Sequence, residues 1–185
     1  VSMCDITAGL NAHAAILEAL FARERGGQGE SIQVSLFDGM ADWMNVPRLH
    51  QMFTGKAPAR MGLSHALIAP YGAYPVGDGS TIVIAIQNDR EWRGFCENVL
   101  GNGAIGDDPR FENNAARVAN RDEMDALINA VFAGHDANSL ATVLKAAKIA
   151  FGRLNDVAEL AAHPQLRTTE VGVPGGGSVN IIAPP

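Results

Sequence analysis

Asp5 is the residue whose type and position most directly suggest chemistry. It precedes residues 6–25, a stretch without proline whose apolar residues recur with helical spacing. We predict that Asp5 is the N-cap of this helix, where free backbone N–H groups and the helix dipole stabilise a negative charge. An ionised carboxylate in that place can act as a nucleophile or a general base once an electrophile reaches it. A purely structural capping role is the alternative that spacing alone leaves open.

A basic segment that contains a glycine offers a second candidate site. Arg60, Gly62 and His65 lie in residues 54–70, a stretch without a clear hydrophobic period that also holds Lys56. Positive charge can receive an anionic ligand, and binding residues are commonly found on loops. The alternative is that these side chains are only solvated.

Other catalytic and metal-binding patterns are missing from the sequence. No GxGxxG follows a predicted strand, and no phosphate-binding GxxxxGK precedes Ser or Thr. Ser64 stands beside His65 outside any Gly-x-Ser-x-Gly motif, which argues against a hydrolase. Cys4 and Cys96 have no metal-ligand spacing, so we predict no metal site.

Composition narrows the classes of protein further. The 185 residues are 47% hydrophobic, enough for an ordinary core, and carry a net charge of −6. That charge has the wrong sign for binding phosphate backbones or anionic lipid, so we predict no nucleic-acid partner and no membrane partner. The apolar runs are also far shorter than the ~20 residues of a membrane-spanning helix. With only two cysteines, a reducing cytoplasm is the expected location.

The elements that must position the candidate residues are predicted from periodicity and capping signals. The first helix carries a stripe of alanines, which predicts close packing on two sides. The other predictions are a strand at 31–36, a helix at 37–53 bent near Pro47, a loop at 54–70, a hairpin of 71–76 and 81–86, helices after the capping boxes of Asn88 with Glu91 and Asn120 with Glu123, a helix at 139–148, a short helix from Asn155, and a hairpin of 171–173 and 179–182. This pattern predicts an α/β protein that is α+β in this portion.

An ordered series of segments resembles the family III CoA-transferases of the CaiB/BaiF type. The first segments are DITAGLNAH at 5–13, ARERGGQGE at 22–30 and IQVSLFDGM at 32–40. The later ones are APYGAYPVGDG at 69–79, IQNDREW at 86–92, DPRFENN at 108–114 with Asn120 and Arg121, and LAAHPQLR at 160–167. No one motif is diagnostic, but the series extends over essentially the whole chain.

The resemblance implies an enzyme that moves coenzyme A from an acyl-CoA donor to a free carboxylic acid. The family's catalytic aspartate matches Asp5, which would attack the donor thioester and pass through a mixed anhydride to an aspartyl-CoA thioester. The CoA thioester is then a substrate, and no cofactor is tightly bound. The family's glycine-rich loop over the reacting carboxylate matches the segment near Arg60, Gly62 and His65, in which only Gly62 is glycine. We expect these three residues to contact substrate or CoA.

The resemblance also implies a fold and an assembly. Residues 1–58 would be the helical and strand segment that ends the large nucleotide-binding-like domain, and residues 59–185 the small α+β domain. The family forms interlocked homodimers. An N-terminal CoA-binding part and a C-terminal tail would be lacking, in keeping with the start at Val1, so we expect no turnover from these residues alone.

Two other functions stay open, and the substrate is an expectation only. α-Methylacyl-CoA racemases belong to the same family, but their general-base glutamate matches Asn88, whose amide cannot act as a base, so transfer is favoured. A non-catalytic assembly module is the second alternative, because the alanine-striped helix implies a buried partner surface. For a transferase, we expect a small dicarboxylate such as mesaconate, itaconate or succinate, with Arg60 meeting its distal carboxylate.

Overall fold

The computed structural model describes residues 1–184, which form two compact units. The N-terminal unit is residues 1–60, and the C-terminal unit begins at Met61. The boundary between the two units falls inside the loop predicted at 54–70. The loop itself is confirmed, because no helix or strand lies between Thr54 and Tyr71. The assignment of residues 1–58 and 59–185 to domains of a larger fold stays a prediction.

Three helices make up the N-terminal unit: α1 (Met3–Glu24), α2 (Leu36–Trp43) and α3 (Asn45–Thr54). The predicted long first helix is confirmed, and the chain leaves it at Gly26, which has a φ of 93°. α2 packs against α1 at the buried Gly39, where a Cβ would stand 3.1 Å from both Thr7 Cγ2 and Asn11 Nδ2. The glycine therefore permits the close approach of the two helices.

The predicted strand at 31–36 is wrong. Residues 31–35 belong to neither a helix nor a strand, although the backbone of Ser35 is extended. A strand needs a hydrogen-bonding neighbour, and residues 1–60 provide none. Ser35 instead caps α2, since its hydroxyl accepts a hydrogen bond from the backbone N–H of Asp38 at 3.1 Å.

The predicted bend near Pro47 is a complete break between two helices. α2 ends at Trp43 and α3 begins at Asn45, so Pro47 lies in the first turn of α3. A proline is tolerated there, but in a continuous helix its ring clashes with the carbonyl four residues earlier. That carbonyl belongs to Trp43, which explains why α2 stops there.

The prediction that α1 is buried on two sides is wrong for the described part of the chain. Thr7 is the buried residue of α1, and the alanines of the stripe are at most half-buried. Large apolar side chains of the same helix are exposed, with Leu10 63% and Phe21 61% accessible. Burial of such residues requires a second covering surface, and within residues 1–60 only α2 lies along α1.

The C-terminal unit contains both sheets and the remaining helices. Its elements are β1 (Tyr71–Pro75), β2 (Thr81–Ala85), α4 (Asp89–Asn98), a 3-10 helix (Gly103–Asp107), α5 (Asn114–Ala119), α6 (Arg121–Phe132), α7 (Ala137–Ala146), β3 (Ala150–Arg153), α8 (Val157–Ala161), β4 (Thr168–Gly172) and β5 (Ser178–Ile182). One antiparallel sheet has the order β1-β2-β3, and the other is the β4-β5 hairpin. The predicted α+β organisation is thus confirmed. No helix in residues 1–184 combines the length and the hydropathy needed to cross a membrane.

The core of this unit is formed by the inner face of the three-stranded sheet and the helices packed on it. Ile82, Ile84 and Ile86 alternate with less buried residues and have no exposed surface, as period-2 patterning requires. Phe132 of α6 makes edge-to-face contacts with Tyr74 and Phe95, at ring-centroid distances of 5.8 and 6.3 Å. Such aromatic pairs add to the stabilisation from area burial alone.

Capping signals predicted some helix starts and missed others. The Asn88 cap is confirmed, since its side chain accepts a hydrogen bond from the Glu91 N–H at 2.9 Å. The Asn120 box is wrong, because the side-chain amide of Asn120 donates to two backbone carbonyls and caps nothing. Asp136 caps α7 and Asp156 caps α8, so α7 starts two residues before its predicted position, at Ala137.

Both predicted hairpins are confirmed, but β3 was missing from the sequence predictions. The register pairs Tyr71 with Ala85 in the first hairpin and Thr168 with Ile182 in the second. All four residues of β3 are exposed, so burial imposes no alternation of apolar and polar residues that would mark this segment as a strand. β3 forms because β2 has a free edge, on which Phe151 pairs with Ile84.

Hydrogen bonds join the turn between β1 and β2 to the start of α7. The Gly77 N–H donates to the His135 carbonyl at 2.7 Å. The Asp78 carboxylate accepts hydrogen bonds from the N–H groups of Ala137 and Ser80, each at 2.9 Å, and these bonds lower the pKa of Asp78. A Cβ on Gly77 would overlap the Ala133 carbonyl oxygen, so only glycine fits at this junction.

We predict that Gly77→Ala destabilises the 185-residue chain by about 2 kcal/mol or more, because the methyl group overlaps backbone that cannot move freely. Gly94→Ala is the matched control: Gly94 lies inside α4 with no atom within 4 Å of its Cβ position. That change should stabilise the chain by about 0.5–1 kcal/mol through helix propensity. Urea unfolding followed by circular dichroism measures both, and equal midpoints for the two variants would contradict the prediction.

Candidate functional site

Asp5 lies in the first turn of α1, and its predicted N-cap position is wrong. The helix begins at Met3 with Ser2 as its N-cap, so Asp5 is the third helical residue. Met3 and Cys4 extend the helix backwards because neither is a helix breaker. The first turn still places the carboxylate near unsatisfied backbone N–H groups and the positive end of the helix dipole.

The surroundings of Asp5 leave its carboxylate accessible. Its side chain is exposed and forms no hydrogen bond or ion pair with any of residues 1–184. The residues one helical turn further on are Ala8 and Gly9, and a Cβ on Gly9 would meet no atom within 4 Å. A charged oxygen flanked by such small residues can be approached by a bulky electrophile.

The loop residues Arg60, Gly62 and His65 are all exposed. Arg60 is the last residue of the N-terminal unit, whereas Gly62 and His65 belong to the C-terminal unit. Within residues 1–60, no ion pair joins Asp5 to Arg60. Gly62 has a φ of 60°, a left-handed conformation that suits glycine and turns the chain toward His65.

The imidazole of His65 has a defined orientation and a defined tautomer. Its ring stacks on Tyr71 at a centroid distance of 5.3 Å, and its backbone N–H donates to the Tyr71 carbonyl at 2.8 Å. Its Nδ1 accepts a hydrogen bond from the Leu67 N–H at 3.1 Å. In the neutral ring the proton must then be on Nε2, which makes Nε2–H a donor for an anionic or carbonyl group.

Two polar side chains of the C-terminal unit hold the backbone that follows His65. Arg121 Nη2 donates to the carbonyls of His65 and Ile68, at 2.8 and 3.2 Å. Asn114 Nδ2 donates to the Leu67 carbonyl at 2.8 Å, and its Oδ1 accepts from the Ala69 N–H at 3.1 Å. These roles have no local signal in the sequence, although both residues belong to the segments that resemble the family.

A buried arginine fixes the point where the loop enters β1. Arg117 has 1% of its surface exposed, and its Nε donates to the Ala69 carbonyl at 2.7 Å. Its Nη1 donates to the Phe111 carbonyl at 3.0 Å, and its Nη2 pairs with Asp89 Oδ1 at 2.9 Å. The guanidinium also lies over the Trp92 ring, 5.3 Å from its centroid. Sequence alone gave no signal for this role, because an arginine on a short helix is usually solvated.

Three groups whose pKa is raised by burial, Cys96, Tyr74 and Asp125, lie in the packed part of the C-terminal unit. Burial raises the pKa of Cys96 to about 12, so its thiol is inert as a nucleophile at neutral pH. The pKa of Tyr74 is raised mainly by burial and, to a smaller extent, by the 2.7 Å hydrogen bond to Asp125. Burial likewise raises the pKa of Asp125. In residues 1–184, no three His, Cys, Asp or Glu side chains are grouped to hold a metal ion.

Comparison with known proteins gives matches along nearly the whole chain. The model of CoA-transferase family III matches residues 1–175. The acetyl-CoA:oxalate CoA-transferase of Acetobacter aceti is 35% identical over 176 residues, which are 95% of this chain and 45% of that protein. The succinate–glutarate CoA-transferase of Agrobacterium fabrum is 32% identical over 167 residues, which are 90% of this chain and 41% of that protein.

A solved structure shows the same fold. The crystal structure of a CaiB/BaiF family protein from Brucella suis superposes with a TM-score of 0.70 at 36% identity. It covers 89% of this chain, and this chain covers 43% of it. The chain therefore spans less than half the length of the relatives it matches.

We predict that Arg117→Met destabilises the C-terminal unit by about 3 kcal/mol, because it leaves two buried carbonyls without donors. Arg110→Ala is the matched control, since Arg110 is exposed and forms ion pairs with Asp108 and Glu123. Its unfolding midpoint should stay close to that of the unmodified chain. Urea unfolding followed by circular dichroism is the measurement, and similar midpoints for both variants would contradict the assigned role of Arg117.

Proposed function

Because this chain belongs to CoA-transferase family III, whose model matches residues 1–175, we propose that the full-length protein transfers coenzyme A from an acyl-CoA donor to a free carboxylic acid. The family match is the observation that carries the proposal. The exposed carboxylate of Asp5, which the family resemblance matches to the catalytic aspartate, supports it. Relatives named as CoA-transferases for oxalate and for succinate and glutarate support it further.

In the proposed mechanism Asp5 is the covalent nucleophile. Its carboxylate attacks the thioester carbonyl of the donor, which gives a mixed anhydride and releases the CoA thiolate. The thiolate then attacks the aspartyl carbonyl, so that an aspartyl-CoA thioester forms and the donor acid leaves as a carboxylate. The acceptor carboxylate repeats these two steps in reverse. No proton is gained or lost in any of them, so the mechanism needs an ionised carboxylate and no general base.

We assign Arg60, Gly62 and His65 to the binding of substrate or CoA. His65 offers its Nε2–H as a donor, because Nδ1 already accepts from the Leu67 N–H. Arg60 is an exposed cation without an ion pair in the described residues, so its guanidinium is available to a carboxylate. Gly62 gives the backbone between them its left-handed turn. These assignments rest on the family resemblance of this segment and on the exposure of each group.

The proposed acceptor is a small dicarboxylate. Relatives of this chain are named for oxalate, succinate and glutarate, and all three are dicarboxylic acids. One carboxylate is the reacting group, and the second needs a cation, for which we propose Arg60. The proposal does not choose among dicarboxylates of different length.

Racemisation, the activity of another branch of this family, is the weaker candidate. It needs a base at the position of Asn88, but the Asn88 side chain is occupied as a helix cap. Its Oδ1 accepts from the Glu91 N–H at 2.9 Å, and its Nδ2 donates to Glu91 Oε1 at 2.7 Å. An amide held in this way neither accepts nor delivers the proton that a racemase exchanges.

The assembly proposed for the full-length protein is an interlocked homodimer in the cytoplasm, with residues 1–58 in the large domain and residues 59–185 as the small domain. The exposed apolar side chains of α1 and α3 support a covering surface outside residues 1–60. Phe21, Val46 and Phe53 are 61%, 70% and 83% accessible. A non-catalytic assembly module would expose such a surface too, and the experiments below separate the two functions.

We predict that Asp5→Asn lowers the kcat of the full-length enzyme by about 10³-fold or more, because the amide cannot attack the thioester. Asp38→Asn is the matched control, since Asp38 is also an exposed third residue of a helix, α2. It should leave kcat close to the unmodified value. Mass spectrometry of the protein incubated with acyl-CoA alone should show a CoA adduct that Asp5→Asn abolishes. Full turnover by the Asp5 variant would reject the covalent scheme.

We predict that dicarboxylates are better acceptors than monocarboxylates of the same length. Arg60→Ala should raise the KM for a dicarboxylate by about 10-fold or more, the loss expected for a charge-assisted hydrogen bond. The KM for a monocarboxylate should change little. Arg48→Ala, which removes an exposed arginine of α3, serves as the control. Activity confined to monocarboxylates would eliminate the dicarboxylate proposal.

A further inference from the structure

The two halves of the loop at 54–70 differ in how they are held. In residues 57–63 the hydrogen bonds that the structure describes are local, such as the one from the Ser64 N–H to the Met61 carbonyl at 3.0 Å. From His65 onward, backbone groups are bound by side chains distant in sequence, those of Asn114, Arg117 and Arg121. Side chains distant in sequence therefore anchor the backbone from His65 to Ala69, and the structure describes no such hydrogen bond to the backbone of residues 57–63.

Among these three side chains, Arg121 binds the backbone closest to residues 57–63. It is the first residue of α6, so its main chain belongs to a twelve-residue helix packed in the core. One nitrogen, Nη2, donates to the carbonyls of His65 and Ile68, which are three residues apart. A donor shared by these two carbonyls fixes the distance between them, and with it the path of the backbone that carries the His65 ring.

The contacts of Arg121 do little for the hydrophobic core. The side chains of His65, Ala66 and Leu67 are exposed and that of Ile68 is half-buried, so fixing this backbone buries little of their apolar surface. Arg121 Nη1 is itself buried and has no hydrogen-bond partner in residues 1–184, which is unfavourable for stability. An arginine held in this way is better explained by what it positions than by the stability it adds.

We infer that Arg121 is a positioning residue that holds the His65 imidazole where its Nε2–H can meet the acid substrate. This inference rests on the proposed function, since it needs His65 to contact that substrate. Without Arg121 the His65 carbonyl loses its donor, and the bond from the His65 N–H to the Tyr71 carbonyl and the stacking of its ring on Tyr71 remain. Held by these contacts alone, the backbone at His65 samples more positions, and a smaller fraction of molecules presents the Nε2–H donor correctly. The apparent affinity for the acid falls by that fraction, so the expected effect is on KM more than on kcat.

The test measures acceptor kinetics and trypsin cleavage for variants of the full-length enzyme. Arg121→Ala should raise the KM for the acid about tenfold with kcat changed less than about threefold. Arg121→Lys keeps a charged hydrogen-bond donor on a shorter side chain and should give an intermediate KM. Trypsin should cut after Arg60 fastest in Arg121→Ala, more slowly in Arg121→Lys and slowest in the unmodified enzyme. Arg110→Ala, which removes an exposed arginine of the same unit, should match the unmodified enzyme in all three measurements.

A double-mutant cycle with His65→Ala separates positioning from a structural role. If Arg121 acts through His65, adding Arg121→Ala to the His65→Ala enzyme should raise KM no further. Independent, multiplicative effects on KM would overturn the inference, as would an unchanged KM in Arg121→Ala. A parallel loss of kcat and thermal midpoint in both Arg121 variants would also overturn it, because that indicates damage to the fold.

Failure of the proposed function has a different signature. In that case the unmodified enzyme shows no CoA transfer, or Asp5→Asn retains it, while the trypsin series still follows the order of the Arg121 variants. The anchor would then be real, and the assignment to an acid substrate would be wrong. If trypsin cleaves all the Arg121 variants at the same rate while CoA transfer still requires Asp5, only the anchoring role of Arg121 is overturned.

Discussion

The buried guanidinium of Arg117 is the interaction on which the arrangement of the C-terminal unit depends. A cation removed from water must have its hydrogen bonds satisfied, and Arg117 does so with the Ala69 carbonyl, the Phe111 carbonyl and the Asp89 carboxylate. These partners belong to the entry of β1, the turn before α5 and the start of α4. One side chain thus sets the position of three segments, and the loop that carries His65 leaves from a fixed point.

The chemistry proposed for the N-terminal unit needs little beyond a charged oxygen in an accessible place. Acyl exchange between carboxylates and a thiolate involves no net proton transfer, so a cluster of acid and base residues around Asp5 is not required. The first turn of α1 supplies electrostatic stabilisation, and Ala8 and Gly9 leave space beside the carboxylate. The exposed apolar side chains of α1 and α3 support the proposed covering surface outside residues 1–60.

Local signals in the sequence predicted much of the fold. The two hairpins, the long first helix, the loop at 54–70 and the Asn88 cap all depend on residues near one another in the chain, such as the glycines of the turns. Errors arose where a distant partner decides the outcome. Residues 31–36 alternate like a strand but have no neighbour to pair with in residues 1–60, whereas β3 forms without a pattern because β2 offers a free edge.

For the candidate site, the sequence by itself determined the residue types: a carboxylate at Asp5, a cation at Arg60, an imidazole at His65, and segments that belong to one family. Only the tertiary structure decided how they are held. It places Asp5 in the third position of its helix, fixes the tautomer of His65 through the Leu67 N–H, and turns Arg121 into an anchor. The reason is physical: residue type sets which hydrogen bonds are possible, but which carbonyl lies within 3 Å of a donor depends on contacts between residues far apart in the chain.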